Sequence, residues 1–484
     1  MAPEFSYRRH RLRWLVLQGY GFTYKRVDRR MSQYVAESGA PVALESHDQL
    51  VSYFESACKP RPKWRIGTEY EKVAVWAANG KAVPFTGGIE EVLRRLADCY
   101  GWRPVVEDGR LIALQGEGVA ITLEPGGQLE LSGAQYDTIH SASREFAEHV
   151  KQIVTAGSEL GIAFLGLGMQ PVSTLDEIEW VPKRRYRIMA PYMERVGSLG
   201  HRMMKQTATV QVNLDYSSER DAMMKMRAGM GSAALLTAMF ANSPISDGRL
   251  NGYMSFRGHI WTDTDPARCG LLPFVFRDAV SFSDYVEYAL DVPMYFIVRD
   301  GRWIDMTDFT FRRFWAQGHQ HERATVADWN LHLTTLFPEV RLKGYIEIRS
   351  IDSQAPELML AAPALVKGLF HEEDCLLAVW DLVKQWKWEE RVDLYRAAHR
   401  QALKARIRGI EVAELARELI DIAETGLNRQ RQGEQESEAM YLERLRDLVR
   451  RGRCPADVII EKWNGSWERD VKRLVEGTAY RVTE

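Results

Sequence analysis

Arg65-Ile66-Gly67-Thr68-Glu69-Tyr70-Glu71-Lys72 reads as a β-strand that carries chemistry on one face. Alternate side chains of a strand share a face, so Glu69 and Glu71 point the same way, about 7 Å apart by the strand rise. Val73 and Val75 continue the segment as a packed strand. Two carboxylates so close repel unless something positive lies between them. A divalent cation is the natural neutraliser, because hard oxygen ligands select Mg²⁺, Mn²⁺ or Ca²⁺. The octamer alone equally allows a plainer reading, two glutamates on a solvent face beside Arg65 and Lys72.

Working outward, three more segments repeat the design. In Val119–Gly133, Val119, Ile121 and Leu123 alternate with Thr122 and Glu124. Pro125-Gly126-Gly127 breaks the strand as a turn or wide bulge, and Leu129 and Leu131 then alternate with Glu130. In Thr207–Asp215, Val210, Val212 and Leu214 oppose Gln211 and Asn213; in Lys343–Asp352, Ile346 and Ile348 oppose Glu347 and Arg349. Any one of these could be a wet surface. Together they predict adjacent strands of one antiparallel sheet whose concave face is polyanionic. Mg²⁺ takes few protein carboxylates and fills its shell with water and phosphate oxygens, so the face reads as a cradle for several divalent cations and a nucleoside triphosphate.

The rest of the chain bounds this picture. With 484 residues it can bury a large core, and a net charge of -2 gives no global pull toward nucleic acid or an anionic membrane. No apolar stretch approaches bilayer-spanning length. Cys58, Cys99, Cys269, Cys375 and Cys454 are scattered and odd in number, which argues for a reducing compartment, read as the cytoplasm. Residues 1–30 are strongly basic: a transit peptide, a disordered basic arm, or an over-extended start with Met31 as the true first residue, the last preferred. Gly166 and Gly168 lack the third glycine and the helix start of a dinucleotide fingerprint, and there is no P-loop. Pro182–Tyr186 is expected to be a solvated loop, and His259, Asp263 and Asp265 to serve turns more often than a metal. Helices are expected near 46–58, 89–99, 139–160, 217–242, 437–451 and 455–475.

At this point the sequence resembles a known family, the glutamate–cysteine ligases of the plant and proteobacterial type. The matching stretches are RIGTEYEK (65–72), ITLEPGGQLELSGA (121–134), VGSLGHRMM (196–204), TVQVNLDYSSE (209–219), HIWTDTDPARCGLLPFVF (259–276) and EKWNGSWERDV (461–471), in family order across about 45–475. The resemblance implies an α+β fold, a glutamine-synthetase-like curved antiparallel sheet or funnel backed by helices, with a helical C-terminal region. The expected division is a basic, disordered extension at 1–44, a catalytic funnel at 45–362 and helices at 363–484 packed on it.

It also implies ligation of the γ-carboxylate of L-glutamate to L-cysteine at the cost of ATP, the first step of glutathione synthesis. Two or more Mg²⁺ are implied, on Glu69, Glu71, Glu124, Glu130 and Glu347 with Gln211. Arg349 and Glu347 are the implied catalytic pair, and Thr68, Arg185, Asn213, Arg257 and Trp261 the substrate contacts. A monomer or homodimer is expected. Alternatives are a sister ligase with another amine acceptor and a non-catalytic nucleotide-binding relative. Two positions depart from plant members: Ala208 stands where they carry a cysteine before the glutamine, and Gly258 where they carry a larger residue.

Overall fold

The computed structural model describes residues 42–482, except 432, 434 and 435. The basic segment 1–30 therefore lies outside the described residues. Residues 43 and 44, assigned to the extension on sequence grounds, are already tied in: Ala43 bridges to Thr325, and the Leu44 N–H donates to the Ala324 carbonyl at 3.0 Å.

Nine strands form one antiparallel sheet. They are β1 (Ile66–Trp76), β2 (Arg103–Glu107), β3 (Arg110–Gln115), β4 (Ala120–Leu123), β5 (Leu129–Ser132), β6 (Ile162–Leu165), β7 (Thr209–Leu214), β8 (Val340–Leu342) and β9 (Ile346–Asp352). Their order is β8-β9-β7-β1-β5-β4-β3-β2, with β6 also paired to β1. Strand β1 is the hub: its first half pairs with β5 and β7, and its second half, Val73–Trp76, pairs with β6. Eleven residues of alternating and then continuously apolar character suit a strand buried on both sides.

The apolar faces of these strands pack on helices. Val210, Val212, Leu214, Ile346 and Ile348 lie fully buried in one core with the helix Glu219–Met239, and the helix Ala361–Phe370 also meets β7 and β1. The first of these helices starts on Ser218, whose hydroxyl accepts from the Asp221 N–H, and its Ala and Gly residues allow close approach to the sheet. The composition boundary at residue 363 falls inside the helix Ala361–Phe370, and one hydrophobic core runs from Leu44 to Tyr480.

The tail differs from the expected helix over 455–475. Helix Pro455–Asn464 stops at Gly465, and a second begins at Val471. Glu468 and Arg469 both take left-handed backbone angles, φ 53° and 61°. That reversal turns Trp467 back beside Trp463 onto Val73, Val75, Leu165 and Leu167 in a second buried cluster. The EKWNGSWERDV stretch thus seals the far half of β1. Phe296–Arg299 pairs with Arg302–Asp305 as a separate antiparallel hairpin.

Candidate active site

Cross-strand register assembles the polar face. Glu71 on β1 lies directly opposite Glu130 on β5, and Glu130 lies opposite Thr122 on β4. Glu69 lies opposite Gln211 on β7, and Asn213 opposite Glu347 on β9, which in turn faces Arg341 on β8. Directly paired residues place their Cβ atoms about 5 Å apart. Separate segments thereby deliver their charges to one pocket, whose lining includes the acidic Glu69, Glu71, Glu124 and Glu130 and the basic Arg341, Lys343 and Arg349.

The acidic end is compact. Carboxylate oxygens of Glu71, Glu124 and Glu130 lie within 4.8 Å of one another. Glu71 accepts from the Thr209 N–H at 2.9 Å and from Gln211 Nε2 at 3.3 Å; Glu130 accepts from the hydroxyls of Thr122, at 3.1 Å, and Ser132. Burial, followed by repulsion from Glu124 and Glu130, pushes the Glu71 carboxyl well above the usual range; burial and Glu124 raise Glu130. Glu69, accepting from Asn213 Nδ2 at 3.0 Å, is pushed up to about 7 by burial and by the charges of Glu347 and Glu130. Three converging carboxylates, two of them held by fixed donors and the set still mutually repulsive, fit a hard divalent cation, whose charge would relieve that repulsion.

Pro125-Gly126-Gly127 gives this end its shape. A Cβ on Gly126 would sit 2.2 Å from the Lys205 carbonyl oxygen, so only glycine lets the turn press against that backbone. Gly127 adopts φ +85°, and the Gln128 amide pins the turn by accepting from the Gly126 N–H at 3.0 Å and donating to the Thr207 carbonyl at 2.8 Å. The expected turn is thus present, closed by the Gly127 N–H donating to the Glu124 carbonyl at 2.9 Å.

The basic end is organised by Glu347. This carboxylate is fully buried, and Arg341 grips it with two 2.7 Å hydrogen bonds, with Lys343 at 3.3 Å and Arg349 at 2.5 Å. Burial alone would raise its pKa; the three cations hold it below the ordinary value instead. Burial, then the charge of Arg341, lowers Lys343 to about 8. Arg349 also donates to Gln211 Oε1 and lies 5.7 Å from the centre of the Trp261 ring.

The structure sorts the expected site residues. Glu69, Glu71, Glu124, Glu130, Gln211, Asn213, Arg185, Arg257, Trp261 and Arg349 all line the pocket. Thr68 does not: by strand alternation it shares a face with Tyr70 and Lys72, and its buried hydroxyl faces the Tyr70 phenol. Its reading as a substrate contact is corrected on that ground. Glu347 is absent from the pocket wall and from the three-carboxylate group, because it lies beneath Arg341, Lys343 and Arg349. Arg257 donates through Nη2 to the Arg349 carbonyl at 2.7 Å, and Nη1 lies 3.7 Å from Asp352.

Sequence reasoning missed Arg341 and Lys343. Arg341 was findable, since Val340-Arg341-Leu342-Lys343 puts two cations on one strand face just before Gly344 turns into β9. The solvated-loop reading of Pro182–Tyr186 fails for Lys183, which is 3% exposed and donates to the Leu123 carbonyl at 2.6 Å. Lys72 is likewise fully buried, not beside a solvent face; its ammonium donates to the Tyr70 carbonyl at 2.6 Å, and burial lowers it to about 7.

A curved antiparallel sheet that opposes carboxylates to guanidiniums across one pocket defines a ligase of the glutamine-synthetase-like fold. The fold agrees with a crystal structure of glutamate–cysteine ligase from Francisella tularensis in complex with AMP, at a TM-score of 0.51 and 15% identity over 86% of this chain and 88% of that one. The chain belongs to glutamate–cysteine ligase family 2, whose family model matches residues 65–477. It is 42% identical over 446 residues to the chloroplastic glutamate–cysteine ligase of Brassica juncea, covering 91% of this chain and 86% of that one. The enzyme of Nicotiana tabacum is 40% identical over 475 residues, 96% and 90% of the two chains. Both are named chloroplastic, which overturns the cytoplasmic expectation. Scattered free thiols report a reducing environment and carry no address.

Proposed function

We propose that this enzyme activates the γ-carboxylate of L-glutamate with ATP and joins it to the amine of L-cysteine, releasing ADP and phosphate. The observation that carries this reading is the opposition, within one pocket, of the Glu71, Glu124 and Glu130 carboxylates to Arg341, Lys343 and Arg349. A carboxylate is a poor acyl donor because its leaving group would be oxide. Phosphorylation of the γ-oxygen gives an acyl phosphate, and phosphate then leaves when the amine attacks.

Glu71, Glu124 and Glu130 would hold one Mg²⁺, and Glu69 with Gln211 a second. When bound, these ions neutralise the phosphate oxygens of ATP and of the transferring group. The chain's own residues do the positioning. Arg349, clamped by Glu347 and Gln211, directs its free donors at the transferring phosphoryl group, and Arg341 and Lys343 keep that end cationic. Arg257, with Arg185, Asn213 and Trp261, orients glutamate, the guanidinium pairing its α-carboxylate in two-bond geometry. Residues 45–362 supply all of these groups, and helices after 363 hold the sheet from behind. One chain completes the site, so a monomer and a homodimer would each carry whole sites.

The test is phosphate release from ATP and L-glutamate with a panel of amines. Cysteine and 2-aminobutyrate are expected to be the preferred acceptors, and Glu124→Gln to abolish turnover. A different preferred amine would make this a sister ligase; no amine-dependent phosphate release would overturn the catalytic reading.

A further inference from the structure

Asp352 lies three residues beyond Arg349 on β9. In a regular strand, positions separated by an odd number face opposite ways. Here the pairing of β9 with β7 shifts between Ile348 and Ile351, a bulge that adds a residue. Ile351 therefore lies opposite Val210 on the apolar face, and Asp352 opposite Thr209 on the same side as Arg349. The bulge brings both sides of the strand's irregularity to one guanidinium: Arg257 Nη2 donates to the Arg349 carbonyl at 2.7 Å, and Nη1 lies 3.7 Å from Asp352 Oδ1.

Asp352 is itself immobilised. It is 1% exposed and accepts from the Asn242 N–H at 2.8 Å, the Ser243 hydroxyl at 2.7 Å and the Ser255 hydroxyl at 2.8 Å. Ser243 Oγ in turn accepts from the Arg257 N–H at 3.1 Å, and Ser255 caps the short helix that carries Arg257. The backbone of Arg257 is thus fixed through this carboxylate, while its guanidinium is held by the Arg349 carbonyl and faces the same carboxylate's charge. Arg257 is 3% exposed and still reaches the pocket wall. A charge so desolvated needs a counter-charge that does not block its remaining donors. The 3.7 Å contact supplies that charge at a distance too long for a hydrogen bond.

We propose that Asp352 is a positioning residue for substrate: with the β9 bulge it sets the angle at which Arg257 presents its free donors to the carboxylate of glutamate. This rests on the reading of Arg257 as the glutamate-binding arginine. The sequence offers no sign of it, because the bulge is what puts Asp352 on this face.

Steady-state constants for glutamate and ATP, with thermal melting, would be measured on wild type, Arg257→Lys, Asp352→Asn, Ser243→Ala and the Arg257→Lys/Asp352→Asn pair. Asp352→Asn keeps the volume and removes the charge; Ser243→Ala loosens both Asp352 and the Arg257 backbone and serves where the asparagine variant does not fold. Each single variant is expected to raise the glutamate KM about tenfold with the ATP KM within about twofold. The pair is expected to match Arg257→Lys alone, since a misplaced donor set cannot be misplaced twice. An elevated glutamate KM in Arg257→Lys with no change in Asp352→Asn or Ser243→Ala would overturn the positioning role and leave the substrate reading intact. Parallel drift of both Michaelis constants, or effects that multiply in the pair, would show Asp352 to be merely structural. An unchanged glutamate KM in Arg257→Lys would overturn the substrate reading itself.

Discussion

Glu69→Gln tests the electrostatics of the carboxylate face without relying on turnover. In the folded protein Glu69 keeps its proton to about 7, against an ordinary value of 4.5. Between those values the folded state binds more protons than the unfolded chain, so stability falls as pH rises through that window and is flat above it. At about 1.4 kcal/mol per pH unit the whole shift corresponds to roughly 3 kcal/mol of destabilisation at pH 8.5. Glu69 is partly open to the pocket, and water there reduces this to roughly 1–2 kcal/mol. Glutamine retains the shape and can still accept from Asn213, so the variant removes little but the charge. In EDTA at pH 8.5, Glu69→Gln should melt above wild type by on the order of 1–3 °C, and the gap should close at pH 5. Adding Mg²⁺ with ATP should reverse the order, because wild type alone gains the full stabilisation of binding. Equal melting of the two proteins at both pH values in EDTA would refute the repulsion argument.

Other outcomes follow from the same geometry. Glu71→Gln or Glu124→Gln should lower ligation at least about 100-fold while the metal-free protein melts no lower than wild type, as measured by phosphate release and calorimetry. Gly126→Ala should cost stability, about 1–3 kcal/mol from the overlap with the Lys205 backbone, and disturb Glu124; an unchanged melting temperature would show that the turn can shift. Arg341→Met should leave Glu347 buried beside two cations where there had been three, lowering kcat far more than the glutamate KM, which stopped-time product analysis would separate. Activity assayed with 2-aminobutyrate should be nearly the same with and without reductant, since Cys58, Cys99, Cys269, Cys375 and Cys454 are all free thiols; a severalfold difference would reveal a thiol switch.

Much of the sheet was legible because period two is a local property. Glu69 and Glu71, Gln211 and Asn213, and Glu347 and Arg349 each announce a shared face from spacing alone, and Pro125-Gly126-Gly127 announces a break. Residue types then gave the chemistry: carboxylates for hard cations, guanidinium for oxyanions. The helix Ile139–Ser158, with its one apolar face, and the helix Glu219–Met239, with its serine cap and small apolar residues, followed within a few residues.

Tertiary structure decided which strands touch and what each charge meets. Glu71 faces Glu130 because β1 pairs with β5 in one register, and a slip of one residue would have buried the carboxylates in the core instead. Glu347 reads as one more acidic ligand until β8 lays Arg341 across it and turns it into the centre of a cationic cluster. Thr68 stands one residue from Glu69 yet belongs to the opposite face, and Asp352 reaches Arg257 only through a bulge in β9. Spacing along a strand is fixed by covalent geometry and can be read from sequence; partners across a sheet are fixed by long-range register and by single-residue irregularities, which leave no periodic trace.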